Sequence, residues 1–423
     1  MARIRIGRRA ARGCCGCVTF GVIVLAYLFG VIVYINSRPI TVTVPPYPTV
    51  KDNAYPIFVK AGRMMWRMKH PNPSNDPNLK TFPPPLRNYA LAYKESLPAL
   101  KLMESALNKP CLAPSGRSFF NLTTGFAYIR NLARVVGDDA EYISLTGHPY
   151  EAINLRLEGM KMAAMTAHGG GLLPDLVSMA VEAICRQNME KDIPKLTANQ
   201  YAKVEKEFQI IQRNQPLFSD IIREEGNNFI SGSIQILNLE KNRGEIQYVM
   251  SCIGMGLNLH SVTNSIRQLF LNKNVILLKD HEYFKTLARE TTLPYHKPLY
   301  TKSSGNAYLQ MMDPNKLYGQ AWQKYTLNTA CDTLEQTETA IYWFRRKTGR
   351  FPKSLRDLVP HYLPSVPEDP FNYDKPLKYR LKPNGKGFLL YSVGLDQVDN
   401  GGKPMKKYWE GMGGDLVAGH LNG

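Results

Sequence analysis

The chain has 423 residues, enough for two or three domains that each enclose a core. Apolar residues make up 44% and charged residues 21%, which excludes an intrinsically disordered protein. The net charge of +18 includes Arg3, Arg5, Arg8, Arg9 and Arg12; the other basic residues form no dense run. Such a diffuse excess suits an anionic envelope surface about as well as nucleic acid, so charge alone names no partner; no nucleic acid is expected.

Those five arginines precede Cys15 to Ile35, a run of 21 residues without charge. Such a run is long enough to cross a hydrocarbon core as a helix, with Tyr34 near the far interface. The arginines hold the amino terminus in the cytoplasm, so everything after about Asn36 is expected outside. The apolar run is longer than a signal-peptide core and lacks a small-x-small cleavage site, which favours an uncleaved anchor. Cys14, Cys15 and Cys17 border this span, and their C-x-x-C lacks the βαβ context of a redox motif. Cys111, Cys185, Cys252 and Cys331 fall on the exported side, where four cysteines allow three pairings and spacing selects none.

Ser37 to Val50, with Pro39, Pro45, Pro46 and Pro48, predicts an extended spacer off the membrane. A helix then opens at Asp52-Asn53 with Pro56 in its first turn and Phe58, Ala61, Met65 and Met68 on one face. His70 to Pro85 is a loop by composition. Leu91, Leu97, Leu100 and Met103 predict the apolar face of the next helix. Phe119 to Val136 predicts another, interrupted by Gly137-Asp138-Asp139. Gly147-His148-Pro149 opens a helix carrying Ala152, Leu155, Gly159, Met162 and Ala163. Leu172–Asn188 and Leu196–Arg213 add two more. This alternation of helix, small-residue turn and helix resembles tetratricopeptide-like hairpins, which implies a stack of antiparallel helices. Phe218–Lys279 reads as helix and His281–Thr291 as a short one.

The last segment changes period. Ala330, Leu334, Thr337, Ile341 and Phe344 give a helix that Gly349 ends, with Arg345, Arg346 and Lys347 opposing its dipole. Leu377, Tyr379 and Leu381 alternate with Lys378 and Arg380, Pro383-Asn384-Gly385 turns the chain, and Phe388–Val393 supplies a partner strand.

Gly349-Arg350-Phe351-Pro352, Tyr362-Leu363-Pro364, Asp369-Pro370-Phe371 and Tyr391-Ser392-Val393-Gly394-Leu395-Asp396 occur in the order found in pseudopilins. The carboxyl-terminal segment thus resembles the major pseudopilin of type II secretion. The whole chain looks like membrane-anchored envelope proteins of bacteria such as planctomycetes. Two departures stand out. Gly16 precedes Cys17 and the fifth residue after the glycine is Gly21, not the family's Glu. A long helical body also separates the span from the head.

The resemblance implies a loop that binds Ca²⁺, with Ser392, Asp396, Asp399 and Asp415 as side-chain ligands and Val398 presenting its carbonyl. Such hard oxygens suit calcium. The plain alternative is a solvated turn, for Asn400-Gly401 is a turn signal by itself.

Catalytic motifs are missing. His168-Gly169-Gly170-Gly171 is similar to the oxyanion loop of some esterases, yet no G-x-S-x-G occurs and a helix stop explains the glycines. Gly254-Met255-Gly256 lacks a dinucleotide fingerprint's third glycine, and neither a P-loop nor H-E-x-x-H is present.

The expected fold is mainly α: a cytoplasmic tail and transmembrane helix (1–36), a Pro-rich linker (37–52) and a helical-hairpin, repeat-like body (53–318). A small α+β pseudopilin-like module (319–423) follows. The expected function is a non-catalytic, single-pass envelope protein of the bacterial inner membrane that binds or scaffolds an envelope partner. The alternatives are an envelope hydrolase using scattered Glu, Asp and His of the helical body, with carboxylates such as Glu151 and Glu158, and a secretion-system accessory protein. A concave, acid-lined pocket favours the hydrolase; a long open groove or a convex stack favours the scaffold.

Overall fold

Helices dominate the computed structural model, and a small sheet closes the chain. It describes residues 38–66, 86–114, 117, 125–238, 273–295, 313–373, 375–383, 385–405 and 413–421, with a few positions before 38. Most of the 15–35 span, the 70–85 loop, Cys252 and residues 239–272 lie outside them. Among the described residues no helix is long and apolar enough to cross a membrane. Cys111, Cys185 and Cys331 are free thiols.

The chain divides into two compact units. One comprises Met1–Pro45, Phe229–Tyr283 and Lys302–Asp313. Within it, Asn274 grips the Pro-rich spacer by donating to the Pro39 carbonyl (3.0 Å) and accepting from the Thr41 amide (2.8 Å). The other comprises Pro46–Asn228, Phe284–Thr301 and Pro314–Gly423. The boundary expected near residue 319 falls inside this second unit, so the helical body and the tail share a core.

The helices are α1 (Tyr55–Met65), α2 (Leu86–Glu104), α3 (Phe126–Leu145), α4 (Pro149–Thr166), α5 (Leu172–Arg186) and α6 (Ala198–Asn214). They are followed by α7 (Phe218–Asn238), α8 (Lys273–Glu290) and α9 (Pro314–Thr348). Helix α4 packs against α3, α5 and α6, and α1 against α2 and α3. Phe58, Met103, Leu132, Ile153, Val181 and Phe208, all buried, form one continuous core across these helices. Glycine permits the closest crossing, since a Cβ on Gly62 would collide with the Tyr128 backbone. Helix α6 starts with a capping box in which Thr197 and Gln200 exchange side-chain and backbone bonds.

Two expected details are corrected. Helix α3 does not stop at Gly137-Asp138-Asp139 but runs on to Leu145. Asp139 is buried and accepts a bond from the Ser96 hydroxyl of α2, so a residue that reads as a breaker is an interhelical contact. Leu91 is 60% exposed; the buried residues of α2 are Tyr89, Ser96, Ala99, Leu100 and Met103.

Helix α9 has 35 residues and starts at Pro314, well before the apolar pattern at Ala330. It packs on α5 and α6 and also on the sheet. From Leu334 to Ile341 every residue is buried, so these two turns are enclosed on all sides. The sheet is antiparallel, in the order β1 (Lys378–Leu381), β2 (Phe388–Ser392), β3 (Leu416–Val417). The hairpin register pairs Lys378 with Tyr391 and Leu381 with Phe388, as the alternation implies. Phe344 is buried against the Tyr362 ring at 5.4 Å, and Phe351 meets Phe388 at 5.3 Å. Phe344→Ala is expected to cost about 3–5 kcal/mol in a denaturant titration; a loss below about 1 kcal/mol would place that ring outside the tail's core.

Candidate functional site

The loop after β2 turns left-handed at Gly394 (φ +73°). A side chain there would also press on the Gly414 carbonyl. Of the residues expected to act as ligands, Asp396 accepts from the Val398 amide (3.1 Å), the Gly414 amide (3.2 Å) and Asn400 Nδ2 (3.2 Å). The Val398 carbonyl accepts from the same Asn400 nitrogen at 2.8 Å. Asp415, buried, accepts from the amides of Asn400 (3.2 Å) and Gly402 (2.6 Å). Asp399 turns to Lys378 Nζ (3.0 Å) and the Tyr391 hydroxyl (3.0 Å). Ser392 is committed elsewhere: its hydroxyl donates to buried Asp369 at 2.6 Å.

Asp396, Val398, Asn400 and Asp415 therefore share one loop. Asp399 lies close by, and Ser392 faces the other way. Burial pushes the Asp415 carboxyl up, and the charges of Asp399 and Asp396 push it in the same direction. Asn400 Nδ2 bridges a carboxylate and a carbonyl, so the loop puts positive polarity between its acceptors. Among the described residues no group of three or more His, Cys, Asp or Glu side chains is gathered closely enough to hold a metal ion. Asp369, which the sequence presents only as part of the Asp369-Pro370-Phe371 motif, accepts from the Phe371 amide of its own loop (3.0 Å) and pins that loop to the end of β2 through the Ser392 hydroxyl and the Val393 amide (2.9 Å).

Glu151 and Glu158 lie elsewhere, along a groove of about 340 Å³ between α2 and α4. Its apolar surface comes from Leu97, Leu100, Ile143 and Leu155, its aromatic walls from Tyr93 and Tyr150, and its acidic groups from Glu104, Glu151 and Glu158. Helical spacing explains the row: residues 151, 154, 155 and 158 repeat three and four apart on one face of α4. Asn154 Nδ2 donates to Glu158 at 2.8 Å. Burial and the neighbouring Glu104 push Glu158 up to about 7, against the Asn154 bond, which lowers it. Lys101 is the cation that lines the groove.

Between α5 and α9 lies a third polar feature that sequence reasoning missed. Arg186 is buried and donates through Nε to Glu335 at 3.1 Å. Its Nη groups reach Asp332 and the Asn328 carbonyl oxygen (3.2 Å). Asn328 in turn donates to Glu182 at 2.7 Å, and Gln215 bridges Glu182 (3.0 Å) and Asp332 (3.1 Å). Burial raises Glu182, and Asp332 beside it adds to the rise. Three carboxylates thus share one guanidinium. Nothing in the linear pattern marks these residues, because each sits at an ordinary helical position and only packing brings them together.

The glycines after His168 serve a helix start. Leu172 N–H donates to the Glu225 carboxylate at 2.9 Å, and Asn228 donates to the Gly170 carbonyl at 3.1 Å. The carboxylate at the amino terminus of α5 is where the helix dipole favours it.

No family model matches the chain, and neither a curated protein nor a solved structure matches it.

Proposed function

We propose that this protein is a non-catalytic, single-pass protein of the bacterial inner membrane whose exported helical body binds a basic peptide segment of an envelope partner. The groove between α2 and α4 carries this reading, with its apolar floor, two tyrosine walls and three glutamates in an otherwise basic chain. Apolar side chains of a peptide would bury in the floor while its lysines or arginines meet the glutamates. The arginines ahead of the uncharged 21-residue run support the orientation, with the body outside.

The test titrates the full chain in nonionic detergent with a labelled peptide of alternating lysine and leucine, and with its glutamate-leucine counterpart. Saturable binding of the basic peptide is expected, weakened at least tenfold in a Glu151→Lys, Glu158→Lys variant. Equal binding of both peptides, or an unchanged variant, would end the proposal. Two observations favour the hydrolase as a second reading: the groove is concave and lined by three acids, and an acid near 7 suits proton transfer at neutral pH. Turnover of an envelope polymer that Glu158→Gln abolishes would decide for it.

The tail is proposed to be fastened by Ca²⁺ held by Asp396, Asp399 and Asp415 with the Val398 carbonyl. The support is the shared loop and the mutual repulsion at Asp415, which a divalent ion relieves. Asp399 would join the set only by leaving Lys378, and Ser392 only by leaving Asp369, since these side chains are not gathered around one point. At a hundredfold excess over Kd, calcium is expected to stabilise the full chain by about 2.7 kcal/mol relative to chelator. An Asp396→Ala, Asp415→Ala variant should not respond. Coincident melting curves for the parent in calcium and in chelator would leave only a turn.

A further inference from the structure

The carboxyl end of α9 forms a second concave feature, a cleft of about 360 Å³ lined by Pro194, Tyr201, Tyr342, Arg345, Arg346 and Gly349. Two adjacent arginines in a last helical turn are ordinarily solvated cations that oppose the helix dipole. Here both are held in place by contacts that leave their charge unneutralised. Arg346 Nε donates to the Leu196 carbonyl at 3.1 Å, which orients its fork and leaves the terminal nitrogens unused by that bond. The Arg345 guanidinium lies 4.6 Å over the Phe351 ring centroid, a stacking contact that uses no N–H. Among the described residues neither arginine has a carboxylate within ion-pair distance.

The walls are equally fixed. Tyr201 donates its hydroxyl to the Ile193 carbonyl at 2.6 Å. The Tyr342 ring packs edge-on against Phe351 (5.9 Å) and Phe388 (5.6 Å). Gly349 adds no side chain to the mouth. The nearby acid is Glu338, one of whose oxygens has no hydrogen-bond partner. Burial and the charge of Glu190 push it up to about 8. Held in that direction, its carboxyl favours the neutral form, which weakens its repulsion of an anion.

We infer that this cleft binds a phosphate group. Two guanidinium forks match the geometry of phosphate oxygens, whereas a single ammonium would offer only a point charge. The volume suits a small phosphorylated molecule or one lipid headgroup rather than a polymer.

Isothermal titration of the full chain in nonionic detergent with inorganic phosphate, at constant ionic strength set by chloride, tests the free-phosphate source. Flotation with phosphatidylglycerol vesicles, against phosphatidylcholine vesicles that carry no net charge, tests the headgroup source. Vesicle recovery is read as the difference between parent and variant, because the span associates with any bilayer. Saturable phosphate binding, or a phosphatidylglycerol preference, should fall at least tenfold in Arg345→Gln, Arg346→Gln. The Lys347→Gln control should stay at the parent's level, since Lys347 does not line the cleft. Circular dichroism and melting of the double variant should match the parent. An Arg345→Lys, Arg346→Lys variant, which keeps the charge but loses both forks, should bind more weakly than the parent. Absence of saturable phosphate binding and of any vesicle preference would overturn the inference. So would a glutamine double variant that binds as the parent does, or a lysine variant at full affinity, which would reduce the effect to net charge.

Discussion

Replacing Arg186 with methionine is expected to destabilise the protein by about 3–5 kcal/mol, because removing one partner of a buried ion network strands the others. Burial alone would draw the Arg186 guanidinium down, but Asp332 and Glu335 outweigh it and hold its proton tightly. Without it, Glu182, Asp332 and Glu335 would sit buried with no countercharge, and the amides of Asn328 and Gln215 reach only Glu182 and Asp332. Methionine fills much of the same volume, so the loss would report charge rather than a cavity. Two controls sharpen the result. Adding Asp332→Asn and Glu335→Gln to the methionine variant should recover much of the loss, as neutral groups need no counterion. The gap between parent and single variant should narrow at pH 5, where the stranded carboxyls take up protons. Urea titration measures all three chains. A single variant within about 1 kcal/mol of the parent would mean that packing, not this network, joins α9 to α5.

Stability should fall as pH rises from about 5 to 8. Burial pushes Asp139, Asp175 and Glu205 up to about 7 and Glu338 up to about 8. In the unfolded chain such carboxyls titrate near 4. Between those values the native state holds protons that the unfolded state has released, so the slope of unfolding free energy with pH is negative. Each group's contribution is fully present below its unfolded value and is lost by the time pH passes its native one. Asp399 acts in the opposite sense. Its bond to Lys378 lowers it, so its contribution is lost only as pH falls below the usual carboxylate range. Thermal melts at pH 5, 6, 7 and 8 should therefore show a steadily decreasing Tm. Asp175→Asn should flatten that trend, because Asp175 owes its rise to burial and one of its oxygens has no hydrogen-bond partner. A Tm that climbs from pH 5 to pH 8 would mean that these acids are ionised in the native protein.

The amino-acid sequence by itself determined the mainly helical body and the helix–hairpin order of the tail. The spacing of Ala152, Leu155, Gly159 and Met162 specifies one face of α4, and the alternation about Leu377–Leu381 specifies a strand, because each signal is local and periodic. Glu151 and Glu158 were legible only as two of the body's scattered carboxylates; that they line one groove with Glu104 depends on how α2 and α4 pack. What residue spacing did not reveal was that α3 continues through Gly137-Asp138-Asp139, since the partner that makes Asp139 acceptable there, Ser96, lies on another helix. Nor did it reveal that Ser392 would turn to Asp369, a residue 23 positions away across a loop. The length of α9 was underestimated because the buried residues of its first turns, Tyr318, Ala321 and Trp322, stand among polar neighbours, and the rings that cover two of them, Phe284 and Tyr295, come from another part of the chain. Tertiary packing alone decided that one helix serves both body and sheet, and that Arg186 meets Asp332 and Glu335 across nearly 150 residues. A buried charge leaves no periodic mark in the chain. It is tolerable only where its countercharge arrives, and that is settled when the helices dock.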